Sequence, residues 1–192
     1  MPNPSLPMPM TIETTEDHLP YQKIALHPHA DPRGDFTELY RADWFDGPPP
    51  VQWNYARSRG KVLRGVHVHL RHTDYLTVME GSLLMATKDL RRASPTYGHS
   101  EVVELSGDTP CTIMIPPGVA HGFYSTDAIL YTVGVSHYWD PINDEFGCRW
   151  DDADLAMPWP AIVAPQQSGR DQAAGSLAAL LQDLRQRTGQ TW

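Results

Sequence analysis

From Tyr21 to about Val135 the chain is a succession of short β-type runs cut by Gly, Pro, Asp and Asn, and this rhythm restricts it to a sandwich or a barrel. The runs are YQKIALH, DFTELYR, VQWNYAR, VLRGVHVH, YLTVMEG, SLLMATKDL, EVVEL, TIMIP, GFYS and ILYTVGV. With 192 residues there is room for one domain with a full core and not for two.

Strict alternation along VLRGVHVH places Arg64, Val66 and Val68 on one face and Leu63, Gly65, His67 and His69 on the other. Two histidines therefore point the same way. Near the C-terminus, Ala174, Leu177, Leu181 and Leu184, with Leu180 beside them, have amphipathic-helix spacing, and that helix is expected to pack outside the barrel. Residues 1–20, rich in proline, threonine and acid, are expected to form a loose arm, leaving residues 21–192 as a single domain with a C-terminal helical extension.

A net charge of -8 argues against a nucleic-acid partner, because such proteins carry a basic footprint. Cys111 and Cys148 form no CxxC spacing, and the opening MPNPSLPMPM lacks the charge of a signal peptide. With no run apolar enough to span a bilayer, the expectation is a soluble cytoplasmic protein that binds no membrane.

The densest chemical signal is Gly65-Val-His67-Val-His69, then Asp74 and Gly81, then Pro116-Pro-Gly118-Val-Ala-His121. These segments resemble the two cupin motifs, which implies a mainly β, cupin-type double-stranded β-helix (jelly-roll barrel) with the C-terminal helix added. Metal-binding cupins place two histidines, a carboxylate and a third histidine on inward barrel faces; here the set is His67, His69, Asp74 and His121. Imidazoles with a carboxylate suit a divalent Fe, Mn, Ni or Zn ion. The same histidines can equally be hydrogen-bonded interior residues.

A longer pattern runs through these positions. DPRGDFTE, VQWN, VLRGVH, DLRRASPTYG, IPPGVAHGF, ILY, HYWDP, CRWDDADLAMPWP and SGRD, in this order, resemble the dTDP-4-dehydrorhamnose 3,5-epimerases. The resemblance implies His67 as the base, Asp171 as the carboxylate that orients it and Tyr131 as the acid on the opposite face of a sugar. A C4 ketone makes the C3 and C5 hydrogens acidic, and reprotonation of the enolate from the other side inverts the carbon. Arg33, Glu38, Gln52, Asn54 and Arg64 match substrate-binding positions near the nucleotide diphosphate and base. His121 matches a residue near the sugar, and Tyr138, with Trp139 beside it, a base-stacking tyrosine. The family needs no cofactor for this chemistry and forms homodimers in which residues such as Arg33 and Glu38 reach the partner's site.

The chain departs from that family at two positions. A lysine that supports the enolate oxygen is replaced by Asp74, and a glutamine two residues after the base by His69. Both changes restore the cupin metal pattern, and a bound cation could serve in place of the lysine. The leading expectation is therefore a nucleotide-sugar epimerase acting at C3, C5 or both. The alternatives are a metal-dependent cupin isomerase, lyase or oxygenase, and an inactive sugar-nucleotide binding protein. The remaining histidines, His72 among them, read as loop residues for the most part exposed, Trp44, Trp53, Trp150 and Trp159 as packing residues, and the SPTYG segment with Asp89 and Arg91 as a structural turn.

Overall fold

The structure, a computed structural model, describes residues 18–192. It has twelve strands: β1 (Gln22–Ala25), β2 (His29–Asp31), β3 (Gly34–Phe36), β4 (Gln52–Arg59), β5 (Val62–Val68), β6 (Asp74–Glu80), β7 (Ser82–Asp89), β8 (Ser100–Ser106), β9 (Cys111–Ile115), β10 (Val119–Ser125), β11 (Ala128–Val135) and β12 (Phe146–Gly147). Two helices follow, α1 (Gly169–Gln172) and α2 (Leu177–Thr188). The strands form two five-stranded sheets, ordered β1-β9-β6-β11-β4 and β12-β5-β10-β7-β8, beside the small β2-β3 hairpin. Among the described residues the paired strands all run antiparallel, as a jelly roll requires.

Burial occurs in three layers. Between the sheets, Leu76, Val78, Leu83, Met85, Leu105, Ile113 and Ile129 interdigitate, with Tyr131 among them. Outside the first sheet, Trp44 and Phe45 cover Ile24, Tyr75 and Met114. Outside the second, α2 lies on Val66, Val68, Ala86, Ala120 and Phe146. Each layer is apolar because alternate residues of a strand face opposite sides.

Helix α2 begins at Leu177 under the cap of Ser176, whose side chain accepts from Ala179 N, and ends at Gly189 in the left-handed conformation. Its buried stripe is Leu177, Leu180 and Leu184, with Leu181 half-buried beside it, while Ala174 of the expected set lies ahead of the helix. Only residues 18–20 of the expected arm fall among the described residues; 1–17 lie outside them. Those three are not loose: Leu19 packs on the inter-sheet core and the Pro20 carbonyl accepts from Arg91 Nη2 at 3.3 Å. The DFTELYR run supplies only the end of β3, after which Leu39 and Tyr40 turn inward against the outer layer.

One irregularity decides the site. In the β5–β10 pairing His67 stands opposite His121 and Gly65 opposite Gly122, so Val66 is an extra residue. Directly opposed residues share a face, and Arg64 opposes Phe123. Since His121 and Phe123 are two apart on one strand, Arg64 and His67 lie on the same side of the sheet. This corrects the strict-alternation reading, which set them on opposite faces; a β-bulge inserts one residue and re-phases everything beyond it. Gly65 sits at φ 108°, where a Cβ would come within 2.8 Å of the His121 carbonyl oxygen.

Candidate active site

A cavity of about 690 Å³ opens between the sheets, and His67, His69, His72, Asp74, His121, Tyr131, Arg64 and Asp171 all line it. His67 is near the end of β5, and its Nε2 lies 2.8 Å from Asp171 Oδ1. The other oxygen of Asp171 accepts from Gly65 N at 3.4 Å, and the Asp171 backbone N–H donates to Ser168 Oγ, the cap of α1. Burial alone would raise the Asp171 carboxyl; the hydrogen bond and charge of His67 outweigh it and hold the group below its ordinary value. An ionised Asp171 accepts the Nε2 proton, which leaves the lone pair of His67 on Nδ1. Arg170 Nη2 is 2.7 Å from the same Nε2 and its Nη1 is 2.6 Å from Glu145 Oε2. One nitrogen cannot donate to Asp171 and accept from Arg170 together, so the two contacts select opposite tautomers.

Tyr131 enters from the facing sheet. It is opposite Val78 on β6, next to a second register shift that leaves Met79 as the extra residue. Burial pushes its phenol above the ordinary tyrosine range, with the Arg64 cation pulling the other way. A protonated phenol and an imidazole lone pair thus line one cavity from two sheets.

Beneath them is a dense polar cluster. Asp144 accepts from the backbone N–H groups of Leu70, Arg71 and His72, and from His72 Nδ1 at 2.8 Å. Its carbonyl accepts from His69 Nδ1 at 2.8 Å, while His121 Nδ1 donates to the Val119 carbonyl at 3.1 Å. Burial lowers His69, and it takes His121 down to about 4 despite the pull of Asp74. Burial would also lower His72, but hydrogen bonds to Asp144 and Asp74 prevail and raise it to about 9. Asp74, which burial would raise, is brought to about 2 by His69, His72 and His121.

The structure sorts the expected site residues into three groups. His67, Asp171, Tyr131, Asn54, Arg64 and His121 line the cavity; Gln52 stands at its edge, donating from Nε2 to Asn54 Oδ1 at 2.9 Å and accepting from Trp139 N. Arg33 and Glu38 do not reach it: Arg33 pairs with Asp31, and Glu38 with Arg41. Tyr138 is 75% exposed and does not line the cavity, whereas its neighbour Trp139 does. Of the expected metal set, His69, Asp74 and His121 bring their ligand atoms within 4.8 Å of one another, and His67 is not in that group.

His72, expected in an exposed loop, is 2% exposed and part of the cluster. It lies ahead of β6 and its partner Asp144 is 72 residues further along, so no local spacing marked it in the sequence. Asp144 and Glu145 carried no such mark either, because their partners lie some seventy residues earlier in the chain. Arg170 was visible within SGRD, beside Asp171.

Two facing antiparallel sheets with a histidine–carboxylate pair and a tyrosine lining the space between them define a class: a cupin-type jelly-roll protein. The family model for dTDP-4-dehydrorhamnose 3,5-epimerase matches residues 21–179, and the chain belongs to that family. It is 34% identical over 180 residues to a dTDP-4-dehydrorhamnose 3-epimerase of Streptomyces niveus, covering 88% of this chain and 83% of that protein. It is 32% identical over 155 residues to a dTDP-4-dehydrorhamnose 3,5-epimerase of Neisseria gonorrhoeae, covering 77% of this chain and only 47% of that longer relative. Among solved structures it is similar to a dTDP-6-deoxy-D-glucose-3,5-epimerase of Legionella pneumophila in complex with dTDP-4-keto-L-rhamnose. That match has TM-score 0.81 and 29% identity, and covers 91% of this chain and 97% of the other.

Proposed function

We propose that this protein is a nucleotide-sugar epimerase that inverts C3, C5 or both of a dTDP-4-keto-6-deoxyhexose. The observation that carries the reading is the His67–Asp171 pair and Tyr131 lining one cavity from opposite sheets. Nδ1 of His67 removes the proton next to the ketone, Asp171 holds the resulting imidazolium, and Tyr131 returns a proton to the other face. Arg64, brought round by the bulge, offers the cavity a cation for the diphosphate, and Arg170 stands at the same mouth. Asn54, Gln52 and Trp139 serve the base and sugar.

The chain acts as a homodimer in this reading. Arg33 and Glu38 cannot serve their own cavity, and β4 is an edge strand with Tyr55 72% exposed on its outer face. The setting is the cytoplasm, which agrees with two buried, unpaired cysteines; among the described residues no helix is long and apolar enough to cross a membrane. A metal-dependent reaction of another class gains no support from the relatives named above, which are sugar epimerases.

The test is deuterium uptake from heavy water into dTDP-4-keto-6-deoxyglucose, followed by NMR. Exchange at C3 or C5 is expected; absence of exchange at both carbons would overturn the assignment.

A further inference from the structure

The histidines at the cavity floor are held by one ring nitrogen and leave the other uncommitted. His69 Nδ1 is 2.8 Å from the Asp144 carbonyl oxygen, and His121 Nδ1 is 3.1 Å from that of Val119. A carbonyl oxygen has no proton to give, so both protons sit on Nδ1 and each neutral ring keeps its lone pair on Nε2. Those two Nε2 atoms face a single carboxylate oxygen, Asp74 Oδ2, at 3.4 and 3.3 Å. With a lone pair and no proton on either Nε2, neither contact with the carboxylate oxygen is a hydrogen bond. The other oxygen, Oδ1, faces His72 Nε2 at 3.5 Å, and His72 is fixed from behind by Asp144.

Two imidazole lone pairs and a carboxylate oxygen therefore converge in a nearly dry space. His69 is 6% exposed, Asp74 5% and His121 3%. Such a convergence is repulsive unless a positive species lies between the three atoms. A tetrahedral ion with ligands at about 2.0–2.1 Å sets them roughly 3.3–3.4 Å apart, and the two nitrogen–oxygen separations fall on that value. The carbonyl groups behind each Nδ1 are the outer hydrogen bonds by which metal-binding histidines are oriented.

We propose that His69, Asp74 and His121 bind a divalent transition-metal ion, zinc best fitting the tetrahedral spacing, with the remaining coordination position turned toward the cavity. His67 stays outside this set and free to act as the base, because Asp171 engages its Nε2. The binding site stands on its own geometry; its role rests on the epimerase reading. There the ion supplies a Lewis acid for the ketone oxygen, a task that the family gives to a lysine and that a bare Asp74 carboxylate would oppose.

The experiment is metal analysis of untagged full-length protein, chelator-stripped and then equilibrated with Zn²⁺ or Co²⁺ and desalted. Close to one ion per chain is expected, with the visible absorption of four-coordinate Co²⁺ and a higher Tm for the loaded protein. Asp74→Asn and His69→Gln are each expected to lose the ion and the absorption, while His67→Asn keeps both. Wild-type protein that retains no stoichiometric metal would overturn the proposal. So would a metal content that survives in folded Asp74→Asn and His69→Gln, or that disappears in folded His67→Asn. Should those two floor variants fail to fold, the wild-type Co²⁺ spectrum decides alone: six-coordinate or absent bands refute the site. No substrate enters these measurements, so a failure of sugar exchange and a failure of metal binding are read separately.

Discussion

At the scale of single residues, the chemistry depends on which nitrogen of His67 carries the proton. In the proposed mechanism Asp171 holds that proton on Nε2 and leaves Nδ1 as the base, the tautomer opposite to the one that the Arg170 contact selects. His67→Asn is expected to reduce epimerisation by roughly 10²–10⁴ and to abolish deuterium uptake, as measured by NMR in heavy water. Tyr131→Phe is expected to behave differently: exchange through His67 persists with retention while inversion falls by about 10² or more, which separates the two groups in one assay. The candidates for these roles were legible in the sequence because each residue is embedded in its own recognisable block. His72 and Asp144 were not, since what makes them matter is a contact between distant chain segments, and no local pattern records it.

At the scale of elements, β5 and β6 show where strand periodicity stops informing. The alternation rule holds up to Leu63 and Arg64 and again from His67, but Val66 is a single inserted residue between them. Gly65 makes the insertion possible. Gly65→Ala would place a Cβ 2.9 Å from Gly122 Cα in a backbone conformation unfavourable to alanine. The expected cost is about 1–3 kcal/mol, seen as a Tm lower by about 2–12 °C in a thermal scan. The turn between β7 and β8 was read correctly as structural. Asp89 there is fully buried and accepts from Arg91 Nε at 2.9 Å and Thr96 Oγ1 at 2.6 Å. Burial would raise its carboxyl, but these partners and Ser94 hold it below the ordinary 3.8. A depressed folded-state value means stability that is present above pH 3.8 and lost as pH falls through the folded value. Asp89→Asn is therefore expected to cost about 2 kcal/mol near neutrality, in a denaturant titration, and progressively less below pH 3.8.

At the scale of the whole molecule, the fold class was legible from strand rhythm, whereas the pairing of the sheets and the docking of the C-terminal segment were not, because both are set by long-range burial. The proposed dimer gives the edge of the first sheet a purpose. Light scattering is expected to report twice the chain mass, and Tyr55→Asp, on the exposed side of β4, to shift the population toward monomer with folding intact by circular dichroism; a wild-type monomer at micromolar concentration would refute the arrangement. The docking of α2 has a further effect. Asp171 does not belong to the barrel; it stands on a short helix just before Leu177, and the leucines of α2 anchor that segment to Val66 and Val68. The segment thus acts like a tumbler in a lock: a substitution that loosens the α2 leucines from Val66 and Val68 is expected to reach His67 through Asp171 without touching the cavity wall.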